Sequence, residues 1–297
     1  MSGGAAAPQQ KLERLSAHLW RVELPVHTLP PYDHTNAYLI ADAGVGLLVD
    51  PGAADAEALA LLDEALAAAE VRLLKAIALT HTHPDHVGGV EGLTAHLRAR
   101  GGDAPTLYVH AAEADRLPEG WRPVRLQGER TLMVGDVAVT CLETPGHSPG
   151  HLSFLLRNAG EERPEAAVVG DLAVASGSVW VGHPEGDMAL YLASLERLRA
   201  LAPRVLAPGH GPAVVAVQKR LAELAAHRLE REAQVLAALE GGAASLSDVT
   251  AAVYRGVPDD VLGLARQSVL AHLLKLMHEM RVMHLGDAED GPYALRT

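Results

Sequence analysis

Cysteine is nearly absent from this sequence of 297 residues, which contains Cys141 alone. A disulfide within the chain needs two cysteines, so a small secreted fold stabilised by disulfides is excluded. Cys141 lies in the apolar run 137–142, where a buried thiol packs like any small hydrophobic side chain. The N-terminal residues also lack the basic and then apolar pattern of a secretory signal. We therefore expect a cytoplasmic protein.

Aromatic residues and positive charge are also scarce. Aromatic residues make up 3% of the chain and hydrophobic residues 48%, so Leu, Val and Ala must fill the core. The formal net charge is −12, and residues 213–297 carry 9 Lys and Arg against 11 Asp and Glu. We therefore expect no strong binding to duplex nucleic acid or to an anionic membrane. No run reaches the roughly 18 consecutive apolar residues that a membrane-spanning helix needs.

Histidine, in contrast, is concentrated in one stretch that follows the apolar run 73–79. This stretch reads Thr80-His81-Thr82-His83-Pro84-Asp85-His86-Val87-Gly88-Gly89. Residues two apart in an extended segment point to the same side, so His81 and His83 can bind one ion. Asp85 and His86 follow one turn later and can bind a second ion. Imidazole and carboxylate are preferred zinc ligands, and the alternative is a surface loop that happens to be rich in histidine.

Three further candidate ligands argue against an accidental histidine-rich loop. His147, Asp171 and His210 each follow an apolar run at a Gly or Pro turn. Proteins of the α/β class build their sites at such strand ends. A carboxylate has two oxygens and can bridge two cations, which makes Asp171 the expected shared ligand.

The order His-x-His-x-Asp-His, then His, Asp and His, resembles the metallo-β-lactamase superfamily over roughly residues 15–212. The resemblance implies an α/β protein with an αββα sandwich that holds two metal ions. It assigns the ligands as His81, His83 and His147 on one ion, Asp85, His86 and His210 on the other, and Asp171 between them. Because the turn Thr-Pro-Gly-His matches the family, it favours His147 over the neighbouring His151, which we interpret as a supporting or structural residue.

The same resemblance makes Asp50 a candidate for a residue that lies behind the ligands and orients a histidine. The alternative is that Asp50 caps the predicted helix 53–69. His34 is interpreted as a solvated loop residue, and the alternative is that it contacts substrate. Trp180 and His183 lie in an irregular connection beside the site and are substrate-contact candidates, although packing alone would also explain the tryptophan.

The residues after Pro212 follow a different pattern. Helices are predicted over 218–239, 245–254 and 258–280, followed by a short hairpin over 281–295. Three helices and a β-wing are similar to the winged-helix domain of the superfamily branch that includes the endoribonuclease called β-lactamase-like protein 2. The sequence thus predicts a disordered segment 1–14, a metallo-β-lactamase-like catalytic domain 15–212 and a winged-helix-like domain 213–297.

A winged helix invites a nucleic-acid function, but the stripe of Lys and Arg expected for duplex binding is absent from its sequence. The domain could instead pack on the catalytic part, cover its cleft or form a homodimer contact. His272, His278 and His284 lie in this domain without the carboxylate or cysteine partners of a metal-binding motif. We interpret them as packing or surface residues.

The ligand set predicts a dinuclear metal-dependent hydrolase. Two divalent ions lower the pKa of a shared water and give a metal-bound hydroxide, and Asp85 could accept or shuttle a proton besides binding metal. Zinc is the expected metal, and manganese or iron would also suit these ligands. Iron would also permit a redox reaction on oxygen or sulfur substrates, although the full ligand set of both sites favours hydrolysis.

The substrate is less defined than the site. Resemblance to the winged-helix branch favours single-stranded RNA, and the acidic composition favours a small ester or thioester, as in glyoxalase II. A metal-binding interaction protein without turnover is a third class, which the complete ligand set disfavours.

Overall fold

The computed structural model of the chain describes residues 11–28, 32–242, 244–286 and 288–296. Two β-sheets pack face to face, and helices cover the outer face of each. The first sheet holds seven strands in chain order, namely β1 (Leu12–Arg14), β2 (Leu19–Pro25), β3 (His34–Asp42), β4 (Val45–Val49), β5 (Leu73–Ala78), β6 (Thr106–His110) and β7 (Val124–Leu126). The strands are antiparallel from β1 to β4 and parallel from β4 to β7.

The second sheet holds the five strands β8 (Arg130–Val134), β9 (Val137–Glu143), β10 (Leu152–Arg157), β11 (Ala166–Gly170) and β12 (Leu206–Pro208). They lie side by side in reverse order, from β12 to β8, and the pair β11 and β12 is parallel whereas the others are antiparallel. The helices are α1 (Ala56–Ala68), α2 (Pro84–Val87), α3 (Val90–Ala99), α4 (Met188–Leu201), α5 (Val217–Ala238), α6 (Leu246–Val253) and α7 (Asp259–His278). A separate hairpin pairs β13 (Val282–His284) with β14 (Tyr293–Leu295).

Alternation along the strands builds the layers. In β3, Tyr38 and Ile40 point into the core between the two sheets, whereas Leu39 points into the core under α1 and α3. In β11, Val168 joins the inter-sheet core and Val169 packs towards α4 and α5. This is the behaviour of strands whose successive side chains point to opposite faces. The predicted αββα sandwich is therefore confirmed.

Helix α5 joins the sandwich to the C-terminal unit. Its first half packs on the second sheet through Leu221 and Leu224. Val235 in its second half and Leu239 directly after its end belong to the core formed with α6, α7 and the hairpin. The predicted boundary at residue 212 thus precedes a helix that belongs to both units. No helix among the described residues is both long and apolar enough to cross a membrane.

The N-terminal prediction extends too far along the chain. Residues 1–10 lie outside the described residues, but Leu12–Arg14 forms a strand within the segment predicted to be disordered. Its order comes from pairing with β2, where Leu12 lies opposite Val22. A three-residue edge strand has too little apolar pattern of its own to be seen in the sequence.

Candidate metal centre

The ends of four strands deliver the candidate ligands to one place. The loop after β5 carries His81 and His83, and the short helix α2 carries Asp85 and His86. The second sheet supplies His147 after β9, Asp171 directly after β11 and His210 after β12. Because β5 lies in one sheet and the other three strands in the facing sheet, the site forms at one edge of the sandwich.

Four of these side chains form a first cluster, in which one ligand atom from each lies within 4.8 Å of all the others: His81, His83, His147 and Asp171. The Nε2 atom of His81 lies 2.9 Å from Nδ1 of His83, which in turn lies 3.1 Å from Nε2 of His147. Asp171 Oδ2 lies 3.5 Å from His147 Nε2.

A second cluster, in which one ligand atom from each side chain again lies within 4.8 Å of the others, consists of Asp85, His86 and His210. His210 Nε2 lies 3.4 Å from Asp85 Oδ2 and 3.4 Å from Asp171 Oδ1. His86 Nε2 lies 3.5 Å from the same Asp171 oxygen. Asp171 therefore presents one carboxylate oxygen to each cluster, which is the arrangement expected of a bridging ligand.

The donor set fits divalent cations. With zinc–ligand bonds of about 2.0–2.1 Å, the ligand atoms of a tetrahedral site lie roughly 3.3–3.4 Å apart, close to the spacings found here. Both His86 Nε2 and Asp171 Oδ1 are buried, and neither makes a hydrogen bond to any part of the chain that the structure describes. Buried polar atoms without partners are costly, and a cation between them would satisfy both.

The outer ring nitrogens of four histidines in the clusters have partners that fix the ring orientation. These contacts join His81 to the Thr80 hydroxyl (3.0 Å), His86 to Asp50 (2.8 Å), His147 to the Trp180 carbonyl (2.8 Å) and His210 to the His34 carbonyl (3.0 Å). In each case Nδ1 faces the partner and Nε2 faces the cluster. Such contacts select the tautomer and aim the inner nitrogen at a metal.

Asp50 lies behind the clusters and does not cap a helix. Its Oδ1 accepts a hydrogen bond from the Thr80 backbone N–H (2.8 Å), and its Oδ2 accepts bonds from the Thr80 hydroxyl (2.6 Å) and faces His86 Nδ1. The cap of α1 is Asp55, which accepts from the backbone N–H groups of Glu57 and Ala58. The alternative interpretation of Asp50 as the helix cap is therefore wrong.

The electrostatics of the second cluster favour a positive charge. Burial opposes protonation of His86, but Asp50 and Asp171 outweigh it and raise the pKa of His86 well above its usual value. A metal ion can take the place of that proton, because metals and protons compete for the same nitrogen. At His81, burial and the neighbouring histidines lower the pKa well below the usual value, so this imidazole is neutral and able to bind metal.

His151 supports the site from behind. Its ring is fully buried, with Nδ1 3.0 Å from the Thr144 hydroxyl, and Nε2 accepts a hydrogen bond from the backbone N–H of Asp171 at 3.2 Å. Burial lowers the pKa of His151 to about 3, so the ring stays neutral and can accept that bond. Its position agrees with the supporting role that we predicted.

The structure also places the three other residues that the sequence singled out near the site. His34 is not a solvated loop residue, because it begins β3 and its carbonyl faces His210. Trp180 is anchored, since its indole N–H donates to the Leu264 carbonyl at 3.2 Å. His183 lies in the same connection and its backbone N–H donates to the Gln267 carbonyl. A substrate contact by either residue stays a prediction.

The sequence interpretation missed two contacts with the clusters. The Thr28 hydroxyl donates to Asp85 Oδ2 at 2.7 Å, and Glu185 lies 3.1 Å from the outer nitrogen of His83. Both residues are remote in sequence from the side chains they contact. Neither lies in a motif, so no signal in a single sequence marks them.

Two family models match the chain. The one described as Metallo-beta-lactamase superfamily matches residues 30–210, and the Beta-lactamase associated winged helix domain matches residues 245–291. The first match spans more than half of the chain and contains all seven clustered side chains. The chain belongs to the metallo-β-lactamase superfamily. The predicted family and its C-terminal winged helix are thus confirmed, and the protein is a hydrolase of the metallo-β-lactamase superfamily.

Relatives of this metallo-β-lactamase superfamily member carry several names. The chain is 29% identical over 240 residues to an atrochrysone carboxyl ACP thioesterase of Aspergillus fumigatus, a match covering 76% of this chain and 70% of the relative. It is 29% identical over 244 residues to a β-lactamase-like protein 2 homologue of Caenorhabditis elegans, covering 82% and 78%. A metallo-β-lactamase family protein from Thermus thermophilus matches in structure with a TM-score of 0.74 and 27% identity, covering 95% of this chain and 100% of that one.

Proposed function

We propose that the protein is a dinuclear metal-dependent hydrolase of acyl thioesters. The observation that carries the hydrolase assignment is the convergence of seven histidine and aspartate side chains into two adjoining clusters. We assign His81, His83 and His147 to one ion, Asp85, His86 and His210 to the other, and Asp171 to both. Zinc suits these nitrogen and oxygen donors, and manganese or iron is compatible with them.

Bound metal ions in such a site supply a water made acidic near neutral pH and a Lewis acid for the substrate oxygen. The side chains then have separate tasks. Asp171 faces both clusters through its two carboxylate oxygens, and the Thr28 hydroxyl donates a hydrogen bond to one oxygen of Asp85. We assign Asp85 a second role as the carboxylate that accepts a proton from the attacking water and returns it to the products.

Charge and similarity favour a thioester over RNA. A net charge of −12 opposes the approach of a polyanion, whereas it leaves a neutral acyl thioester unaffected. The pKa of a free thiol is about 8.5, so a thiol can leave as a thiolate without protonation by a strong general acid. This suits a site whose clustered side chains are all histidines and aspartates. The thioesterase from Aspergillus fumigatus, similar over 76% of this chain, supports the same substrate class.

A phosphodiesterase acting on single-stranded RNA is the second candidate. The winged-helix match over residues 245–291 favours it, because this kind of domain commonly binds nucleic acid. The charge of that domain supports only weak binding, since its sequence is slightly acidic. The cytoplasmic location and the homodimer contact that the sequence suggested stay predictions.

The experiment is a matched substrate screen on purified full-length protein of known metal content. An acyl thioester, a carboxylic ester and a single-stranded RNA oligonucleotide are compared, with Asp171→Ala as the blank and His96→Ala as the control. His96 is a histidine that pairs with Asp63 outside both clusters. We expect thioester hydrolysis that falls by roughly 10³-fold or more in Asp171→Ala and is unchanged in His96→Ala. RNA cleavage that depends on Asp171, without thioester hydrolysis, would contradict the proposal in favour of the second candidate.

A further inference from the structure

His83 differs from the other histidines of the clusters in the way its ring is turned. Its Nδ1 atom faces His81 and His147, so its Nε2 atom points away from the cluster. That outer nitrogen lies 3.1 Å from Oε2 of Glu185. The other four histidines have outer contacts with a hydroxyl, a backbone carbonyl or the buried Asp50. For His83 the outer contact is a carboxylate that comes from an irregular connection.

Glu185 is itself held in place. The same Oε2 atom lies 2.9 Å from Arg116 Nη1, and the Glu185 side chain is 31% exposed. Arg116 follows Glu113, a fully buried carboxylate that accepts hydrogen bonds from the Thr82 hydroxyl and the Gly150 backbone N–H. Arg116 thus balances the charge of Glu185. The same Oε2 atom can also accept the Nε2–H of His83, because a carboxylate oxygen has two lone pairs.

The connection that carries Glu185 runs from residue 172 to residue 187, between β11 and α4, and we call it the 172–187 segment. It also supplies the Trp180 carbonyl that faces His147 Nδ1 at 2.8 Å. At its end, the Asp187 backbone N–H donates to the Gly146 carbonyl, next to His147. One segment therefore contacts two of the three histidines in the first cluster.

The C-terminal helices fix this segment. From α5, the guanidinium of Arg220 donates to the Val174 carbonyl at 2.7 Å, and the buried guanidinium of Arg228 donates to the Val179 carbonyl. From α7, the Leu264 carbonyl accepts the indole N–H of Trp180. An irregular connection held at these points has few alternative conformations, so it can act as a rigid support.

We propose that Glu185 is a positioning residue for His83, and that the C-terminal helices hold it in position through the 172–187 segment. The proposal rests on the proposed metal centre and adds a residue to it. A carboxylate that accepts the Nε2–H fixes the tautomer of His83 and leaves the Nδ1 lone pair facing the cluster. This gives the C-terminal domain a structural role in the first cluster, formed by His81, His83, His147 and Asp171.

The test measures metal affinity and not activity alone. Full-length protein is stripped of metal and titrated with Co²⁺ and with Zn²⁺ against a chromophoric chelator. Glu185→Ala is compared with Glu185→Gln and with Glu196→Gln. The last is a matched control, because Glu196 is an exposed glutamate that pairs with Arg199 on α4. Each variant is also prepared with His210→Ala, so that the remaining affinity reports the first cluster.

We expect Glu185→Ala to weaken one of the two binding steps by roughly 10- to 100-fold, which is the usual effect of losing an outer partner of a metal ligand. The loss persists with His210→Ala, and the Co²⁺ absorption spectrum of the first cluster changes. Glu185→Gln recovers part of the affinity because its amide oxygen can still accept the Nε2–H. Glu196→Gln binds like the wild type.

Two results would overturn the proposal. If the wild type binds two ions and Glu185→Ala binds both equally well, Glu185 has no positioning role although the metal centre stands. If Glu185→Ala loses affinity at both clusters in proportion to a loss of thermal stability, its role is general folding. A wild type that binds neither metal would contradict the proposed function itself, and this proposal with it.

Discussion

At the scale of single residues, the site depends on positions where a side chain has no room. A Cβ atom on Gly209 would lie 2.7 Å from His86 Cε1 and 2.8 Å from Asp171 Oδ1. A Cβ atom on Gly52 would lie 2.0 Å from the Asp85 carbonyl oxygen. Glycine at these positions lets two loops approach the ligands closely, which no other residue type permits.

Gly209→Ala is expected to damage the site directly. Its methyl group would clash with the side chains of His86 and Asp171, and these ligands would have to move to remove the clash. We expect a loss of metal affinity of about tenfold or more and a destabilisation of roughly 1–3 kcal/mol, as for other overpacked sites. The measurement is a Zn²⁺ titration together with urea unfolding of the metal-free protein.

Gly263→Ala is the control for that substitution. Gly263 lies within α7, where an added Cβ meets nothing within 4 Å. Alanine there should stabilise the helix by about 0.5–1 kcal/mol and leave metal binding unchanged. Equal metal affinity in Gly209→Ala and Gly263→Ala would contradict the geometry described for the site.

Asp50 is expected to act on the second cluster through His86. Asp50→Asn keeps the side-chain shape and tolerates the left-handed backbone at this position, where φ is 53°. It removes the negative charge next to His86, so we expect metal affinity to fall by roughly 10- to 100-fold at modest cost in stability. Asp50→Ala should cost a further ~1–3 kcal/mol because the buried Thr80 groups lose their acceptor.

Asp55→Ala separates this effect from that of a helix cap. Asp55 caps α1 and does not contact the clusters, so its loss should cost about 1 kcal/mol without changing metal affinity. Calorimetric metal titration and thermal unfolding of the three variants distinguish the outcomes. Normal metal binding by Asp50→Asn would show that the charge of Asp50 does not matter.

At the scale of elements, most of the architecture could be predicted from periodicity. The helices predicted over 218–239, 245–254 and 258–280 agree with α5, α6 and α7 to within two residues at each end, because each carries a helical pattern bounded by turn residues. The short edge strands β1 and β7 could not be predicted, since partner strands define them.

The seven clustered residues could be predicted because each lies in a Gly- or Pro-bounded motif. Their outer partners Thr28 and Glu185 could not, because tertiary contact alone brings them there.

A buried histidine in α7 gives the C-terminal unit a dependence on pH. His272 is fully buried, and its Nδ1 lies 3.6 Å from Glu232 Oε2, with Lys275 on the same carboxylate. Burial lowers the pKa of His272 below its usual value. The unfolded chain therefore binds this proton more readily than the folded one, so the stabilisation is complete above about pH 6.5 and is lost as pH falls below it.

We predict that His272→Leu removes this contribution. Between pH 7 and pH 5 the wild type should lose more unfolding free energy than the variant, because only the wild type carries the buried imidazole whose pKa is lowered. Urea unfolding of the metal-free proteins at both pH values measures the difference. The control is His278→Gln, at an exposed position of the same helix, which should follow the wild type. Parallel pH profiles for wild type and His272→Leu would contradict the prediction.

At the scale of the whole molecule, the sandwich and the C-terminal unit are joined by side-chain packing as well as by the covalent chain. Helix α5 belongs to both hydrophobic cores, and it holds the 172–187 segment that contacts the first cluster. The role that we propose for the acidic C-terminal domain is structural and requires no nucleic acid. This arrangement also explains how a domain of the nucleic-acid-binding type can accompany a site proposed to act on small acyl thioesters.

The most direct test of the account is the metal content of the protein. Wild type, Asp171→Ala and the His96→Ala control are stripped with a chelator, reloaded with Zn²⁺, freed of excess metal and analysed by elemental mass spectrometry. We predict two ions per chain in the wild type and the control, and a clear loss in Asp171→Ala, because this residue faces both clusters. A wild type that retains no metal, or an Asp171→Ala variant that retains both ions, would contradict it.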